Sequence, residues 1–65
     1  MELKPGASSV ADFCKLNGIG RATFYKLIGA GRGPRTMKVG SRTLISDEAA
    51  EEWRRRMEAE TEAAA

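Results

Sequence analysis

The chain contains no histidine and a single cysteine, Cys14. Without imidazole, the Ser–His–Asp and Cys–His arrangements of nucleophilic catalysis have no base. One thiol forms no internal disulfide, and it is too few soft ligands for structural zinc. Cysteine usage of this kind fits a reduced, cytoplasmic compartment. No apolar run approaches the ~20 residues of a membrane span, and no signal-peptide pattern opens the chain. Aromatic side chains are also scarce: Phe13, Phe24, Tyr25 and Trp53 are the full set. A chain of 65 residues buries only ~60% of its unfolded surface. The expectation is one small domain with a small core, no enzyme activity, no cofactor and no metal.

The net charge is +2, but it is unevenly spread. Up to Ile45, eight cations (Lys4, Lys15, Arg21, Lys26, Arg32, Arg35, Lys38, Arg42) face only Glu2 and Asp12, a net of +6. From Ser46 onward, Arg54, Arg55 and Arg56 face seven acids, a net of −4. Such asymmetry suggests one face built for a polyanion.

Along the chain, residues 1–7 carry Pro5 and Gly6 and read as a flexible N-terminal arm. Ser8 or Ser9 caps a first helix, from about Val10 to Leu16, with Val10, Phe13 and Cys14 at helical spacing. Asn17-Gly18 ends it. A second helix begins after Gly20 and ends at Gly29 to Gly31. Phe24, Leu27 and Ile28 form its apolar stripe; Arg21, Ala22, Tyr25, Lys26 and Gly29 lie on the opposite arc, with Thr23 on the flank. TMKV and RTLI, residues 36–39 and 42–45, are short β-favouring runs around Gly40-Ser41, a pair suited to a type II′ turn. Met37 and Val39 are expected to point inward. Directly opposite pairing would then put Arg42 and Leu44 with them instead of Ile45, which calls for a bulge or a twisted edge. Ser46 caps a third helix with Asp47 and Glu48 in its first turn. Ala50, Trp53 and Met57 give its buried face, and Glu51–Arg55 and Glu52–Arg56 are i,i+4 pairs in the favourable order. Residues 58–65 have no apolar stripe and are expected to fray. Phe13, Cys14, Ile19, Phe24, Leu27, Ile28, Val39, Ile45 and Trp53 are the expected core.

Gly18-Ile19-Gly20 has the look of a nucleotide-binding turn. That motif needs a buried strand before it and an acid ~20 positions after it. Residues 9–17 have helical periodicity instead, and position 40 is glycine. As a link between two helices the same residues make sense: Gly18 permits the reversal, Ile19 drops a side chain between the helices, and Gly20 fits an N-cap.

Helix, tight turn, helix, hairpin and a helix bearing tryptophan, in that order, resemble the MerR-type winged helix–turn–helix of phage excisionases and AlpA-like regulators. The resemblance spans residues 9 to 53, about two thirds of the chain. It rests on IGRATFYKLI, on KVGSR and on the spacing from Ile45 to Trp53. The chain departs from the family pattern at Gly20, where a serine-like cap is more usual, and at Ala49, where an acid is common. The first weakens the helix start slightly; the second bears on one capping contact, not on the binding face.

The resemblance implies an α+β domain, residues 8–57, with a two-helix unit, a two-stranded β-hairpin wing and a C-terminal helix. It also implies double-stranded DNA as partner, the second helix entering the major groove. Arg21 is placed for guanine or for a phosphate. Thr23 is placed for a phosphate or a thymine methyl, and Tyr25 for the backbone or for ring stacking. Lys26 grips phosphate, while Ala22 and Gly29 allow close approach. Lys38, Ser41 and Arg42 surround the tip of the wing, where the family contacts the minor groove or phosphates, and Arg42 suits a narrow minor groove. Arg32 and Arg35 are expected to track the backbone, and Lys4 to add a weak contact. If five to six of these cations neutralise phosphates, log K falls with log salt at a slope of about −5. The implied function is that of a recombination directionality factor, which bends DNA and helps a tyrosine or serine integrase to excise a phage or integrated element. The +6/−4 split further suggests self-association on DNA, the acidic last helix meeting the basic wing of the next copy head to tail. An AlpA-like transcriptional regulator makes the same contacts at promoters. A small protein-interaction or packaging adaptor that uses the acidic helix is the remaining class.

Overall fold

Ser9 marks the start of the first helix. Its hydroxyl accepts the amide of Asp12 at 3.1 Å, and α1 (Val10–Asn17) follows. Gly18 closes it in the left-handed conformation, φ 68°, where a residue without Cβ carries no steric penalty. The chain then turns through Ile19, whose amide donates to the Cys14 carbonyl at 3.0 Å, into α2 (Arg21–Gly29). A loop leads to β2 (Met37–Val39) and β3 (Arg42–Ser46), and α3 (Asp47–Ala64) ends the fold. These elements come from a computed structural model that describes residues 6–64.

One further strand precedes α1. β1 (Ala7–Ser9) pairs antiparallel with β3, Ser8 opposite Ile45, and the amide of Asp47 donates to the Gly6 carbonyl at 2.8 Å. The sheet therefore has three strands in the order β1-β3-β2, not the expected two. Ala7 belongs to it and not to an arm; residues 1–5, Lys4 included, lie outside the described residues. Three helices and a three-stranded antiparallel sheet make a small α+β domain.

The hairpin register is directly opposed, with Val39 facing Arg42 and Met37 facing Leu44. Of its turn pair, only Gly40 has positive φ (62°), as a type II′ turn requires. No bulge is needed, because the expected inward face was the wrong one. Ile45 is fully buried, whereas Met37 and Val39 are exposed. Since side chains alternate along a strand, seating Ile45 in the core sends Leu44, Met37, Val39 and Arg42 to the outer face.

The core is Phe13, Cys14, Phe24, Ile45, Ala49 and Trp53, with Val10, Ile19, Leu27, Ala50 and Met57 packed around it. Phe13 is central. Its ring lies edge-on to Phe24 at 5.7 Å and to Trp53 at 5.3 Å. Pro34 is buried as well. Ile28 is partly exposed instead of core.

Ser46 caps α3 by accepting the amide of Ala49 at 3.0 Å. Ala49 itself is buried, which accounts for a small apolar residue there. The helix runs on to Ala64, well past Met57. Thr61 donates to the Met57 carbonyl at 2.9 Å, and Glu60 is paired with Arg32. Every residue from 58 to 64 is exposed.

Candidate nucleic-acid interface

α2 presents Arg21, Ala22, Thr23, Tyr25 and Lys26 to solvent, all exposed. The helix is held from beneath by Phe24, which is 1% exposed. The Tyr25 ring stands edge-on to Phe24 at 5.1 Å, which steadies it while leaving it open. Gly20 occupies the N-cap position in an extended conformation, with no side-chain cap. The start of α2 is therefore positive in two ways, through its uncapped amides and through Arg21.

The hairpin presents a second exposed group: Lys38, Ser41 and Arg42. Lys38 faces Thr43 and Arg42 faces Val39 across the ladder. Alternation therefore places Lys38 and Arg42 on opposite faces of the ribbon. Arg42 shares its face with Val39 and Met37.

Arg32 and Arg35 differ from the others. They lie in the loop between α2 and β2, and that loop is fastened to α3. Trp53 Nε1 donates to the Arg32 carbonyl at 3.0 Å, and the Arg56 guanidinium donates to the Gly33 carbonyl at 2.9 Å. Gly33 lies so close to Ile28 that a Cβ there would come within 2.6 Å of Ile28 Cδ1. Arg32 forms an ion pair with Glu60, and Arg35 Nε pairs with Glu52 at 2.9 Å. Among the described residues, Arg21, Lys26, Lys38 and Arg42 form no ion pair. The ten expected contact residues thus fall into three groups: a free set on α2, a free set on the hairpin, and a loop pair already engaged by carboxylates.

The expected Glu51–Arg55 pair forms at 2.9 Å, but Glu52–Arg56 does not. Arg56 is taken by the Gly33 carbonyl and Glu52 by Arg35. Nothing local signals either partner, since they lie 23 and 17 positions away. Glu52, which spacing paired with Arg56, and Glu60, which spacing did not single out, are the partners of Arg35 and Arg32.

Comparison with family models, curated proteins and solved structures finds no match to this chain. Among the described residues, no helix is long and apolar enough to cross a membrane.

Proposed function

We propose that the chain is a sequence-specific, double-stranded-DNA-binding protein of the winged helix–turn–helix type, acting as an excisionase-like recombination directionality factor. The observation that carries this reading is the state of the cations. Arg21 and Lys26 on α2, and Lys38 and Arg42 on the hairpin, are exposed and unpaired among the described residues. Unpaired cations on a helix and on a β-ribbon suit a polyanion that offers grooves.

In this reading α2 enters the major groove. Arg21 meets a base edge or a phosphate, Thr23 a phosphate or a thymine methyl, and Lys26 a phosphate. Ala22 keeps the helix close to the duplex. Tyr25 offers its hydroxyl to the backbone. The hairpin is the wing, and Arg42 is its minor-groove probe, with Lys38 and Ser41 at phosphates. A domain this small reads few bases, so specificity requires several copies. The acidic start of α3, around the exposed Glu48, offers a surface for the basic wing of the next copy, head to tail. An integrase is the further partner.

Charge reversal tests the reading. The R21E/R42E double variant is expected to lose duplex binding in a gel-shift titration while keeping its helical circular dichroism. Undiminished binding by that variant moves the weight to a protein-interaction module that uses α3. Binding to tandem sites without any cooperativity rejects the head-to-tail arrangement. An excision assay with and without an integrase separates the recombination factor from a promoter-bound regulator.

A further inference from the structure

We infer that Glu52 and Glu60 set the DNA affinity of this protein by competing with phosphate for Arg35 and Arg32. The inference rests on the DNA-binding reading above and deepens it.

Two observations support it. First, the loop carrying both arginines is held in place without the carboxylates. The bonds from Trp53 Nε1 and from the Arg56 guanidinium go to backbone carbonyls, those of Arg32 and Gly33, and Pro34 is buried beneath. The ion pairs are therefore not what fixes the loop. Second, the last part of α3 places no residue in the core, since residues 58–64 are all exposed. Yet this extension carries Glu60 to Arg32. What the extra helix delivers is a negative charge on a cation of the basic half.

Both arginine side chains remain more than half exposed, 54% for Arg32 and 68% for Arg35. A phosphate can thus reach them, but only by displacing a carboxylate. Exposed pairs are weak, so each displacement changes an equilibrium by a factor of about 1.4 to 5. Two pairs together hold affinity down by about two- to thirtyfold. The pairing also lowers the number of condensed counterions released on binding. Four free cations give a slope of log K against log salt of about −4, and six give about −5.

The test measures binding of a fluorescein-labelled mixed-sequence DNA duplex by anisotropy across a salt series, since phosphate contacts are sequence-independent. Three proteins are compared: the parent chain, E52Q/E60Q and E58Q/E62Q. Both double variants raise the net charge equally, but Glu58 and Glu62 hold no ion pair among the described residues. Thermal melts establish that all three fold. The expected result is a parent slope of about −4, with E52Q/E60Q steeper by about one to two and tighter by about two- to thirtyfold. E58Q/E62Q stays close to the parent. Equal gains in both double variants mean that net charge alone is at work and overturn the inference. So does weaker binding by E52Q/E60Q, because the carboxylates would then be positioning the arginines for phosphate. If no chain binds the duplex even at low salt, the DNA-binding reading itself falls and takes the inference with it. Binding by the parent with unchanged slopes in E52Q/E60Q sinks the inference alone.

Discussion

The indole Nε1 of Trp53 donates to the backbone carbonyl of Arg32 at 3.0 Å, across 21 positions of sequence. The same indole packs edge-on against Phe13. One side chain thus joins the loop after α2 to the core and to α3. Trp53→Phe keeps most of the packing but leaves that carbonyl without its donor. The expected loss is about 1–3 kcal/mol, read as a lower urea midpoint. Trp53→Ala removes the packing too, at about 3–5 kcal/mol. A domain of this length has only about 3–10 kcal/mol in all, so the alanine variant is expected to be largely unfolded. An unchanged midpoint for the phenylalanine variant contradicts the role given to this bond.

Gly33 and Ile28 form a coupled pair. An added Cβ at Gly33 meets Ile28 Cδ1 at 2.6 Å and the Ile28 amide nitrogen at 3.2 Å. Gly33→Ala is expected to destabilise by about 1–3 kcal/mol through overpacking. Ile28→Val removes the offending Cδ1. In the double variant the two losses should fall short of their sum by at least about 0.5 kcal/mol. Simple additivity in a denaturation cycle is the result that contradicts the contact.

Gly20 offers a gain instead. It caps α2 with no side-chain bond, its backbone is extended, and a Cβ there meets nothing within 4 Å. Gly20→Ser supplies an acceptor for an orphan amide at no steric cost. Caps of this kind gain a few tenths of a kcal/mol over glycine. A scanning melt should register a rise of about 1–3 °C. A lower melting temperature argues that Gly20 is needed for its conformation and not merely tolerated.

Arg21 and Lys26 should respond differently on DNA. If Arg21 reads a base edge, Arg21→Ala is expected to cost about 1–3 kcal/mol on the target site and to relax preference at one position. As a phosphate contact, Lys26→Ala should weaken all sequences alike and flatten the salt slope by about 1. Competition titrations with specific and mixed-sequence duplexes distinguish the two. Identical behaviour of both variants removes the division of labour along α2.

The helix starts and the end of α1 were legible because their signals are local, whereas α3 runs on through the residues expected to fray. Ser9, Gly18 and Ser46 act within one turn of their own positions. The strand Ala7–Ser9 was not legible. It holds three small residues with no β-branched or aromatic side chain, and it follows Pro5-Gly6. It is a strand because Ile45 and its neighbours offer it a ladder. The same missing partner hid the inward face of the hairpin. Alternation alone gives two equivalent choices, and the seating of Ile45 beside Phe13 and Trp53 selects one. At the site, the basic residues of α2 and the hairpin were legible as types. Which cations stand free depends on α3 passing the loop, a tertiary fact that spacing does not encode.

β3 is the middle strand of the sheet and runs without a break into α3. The ribbon that carries Arg42 is therefore no hinged flap. Its root is stitched on one side to Ala7–Ser9, which leads directly into α1. Any sideways swing of the tip must drag the residues before the first helix with it. If the chain grips a duplex as proposed, the ribbon moves only together with the first helix, and a duplex that fits poorly has to deform itself.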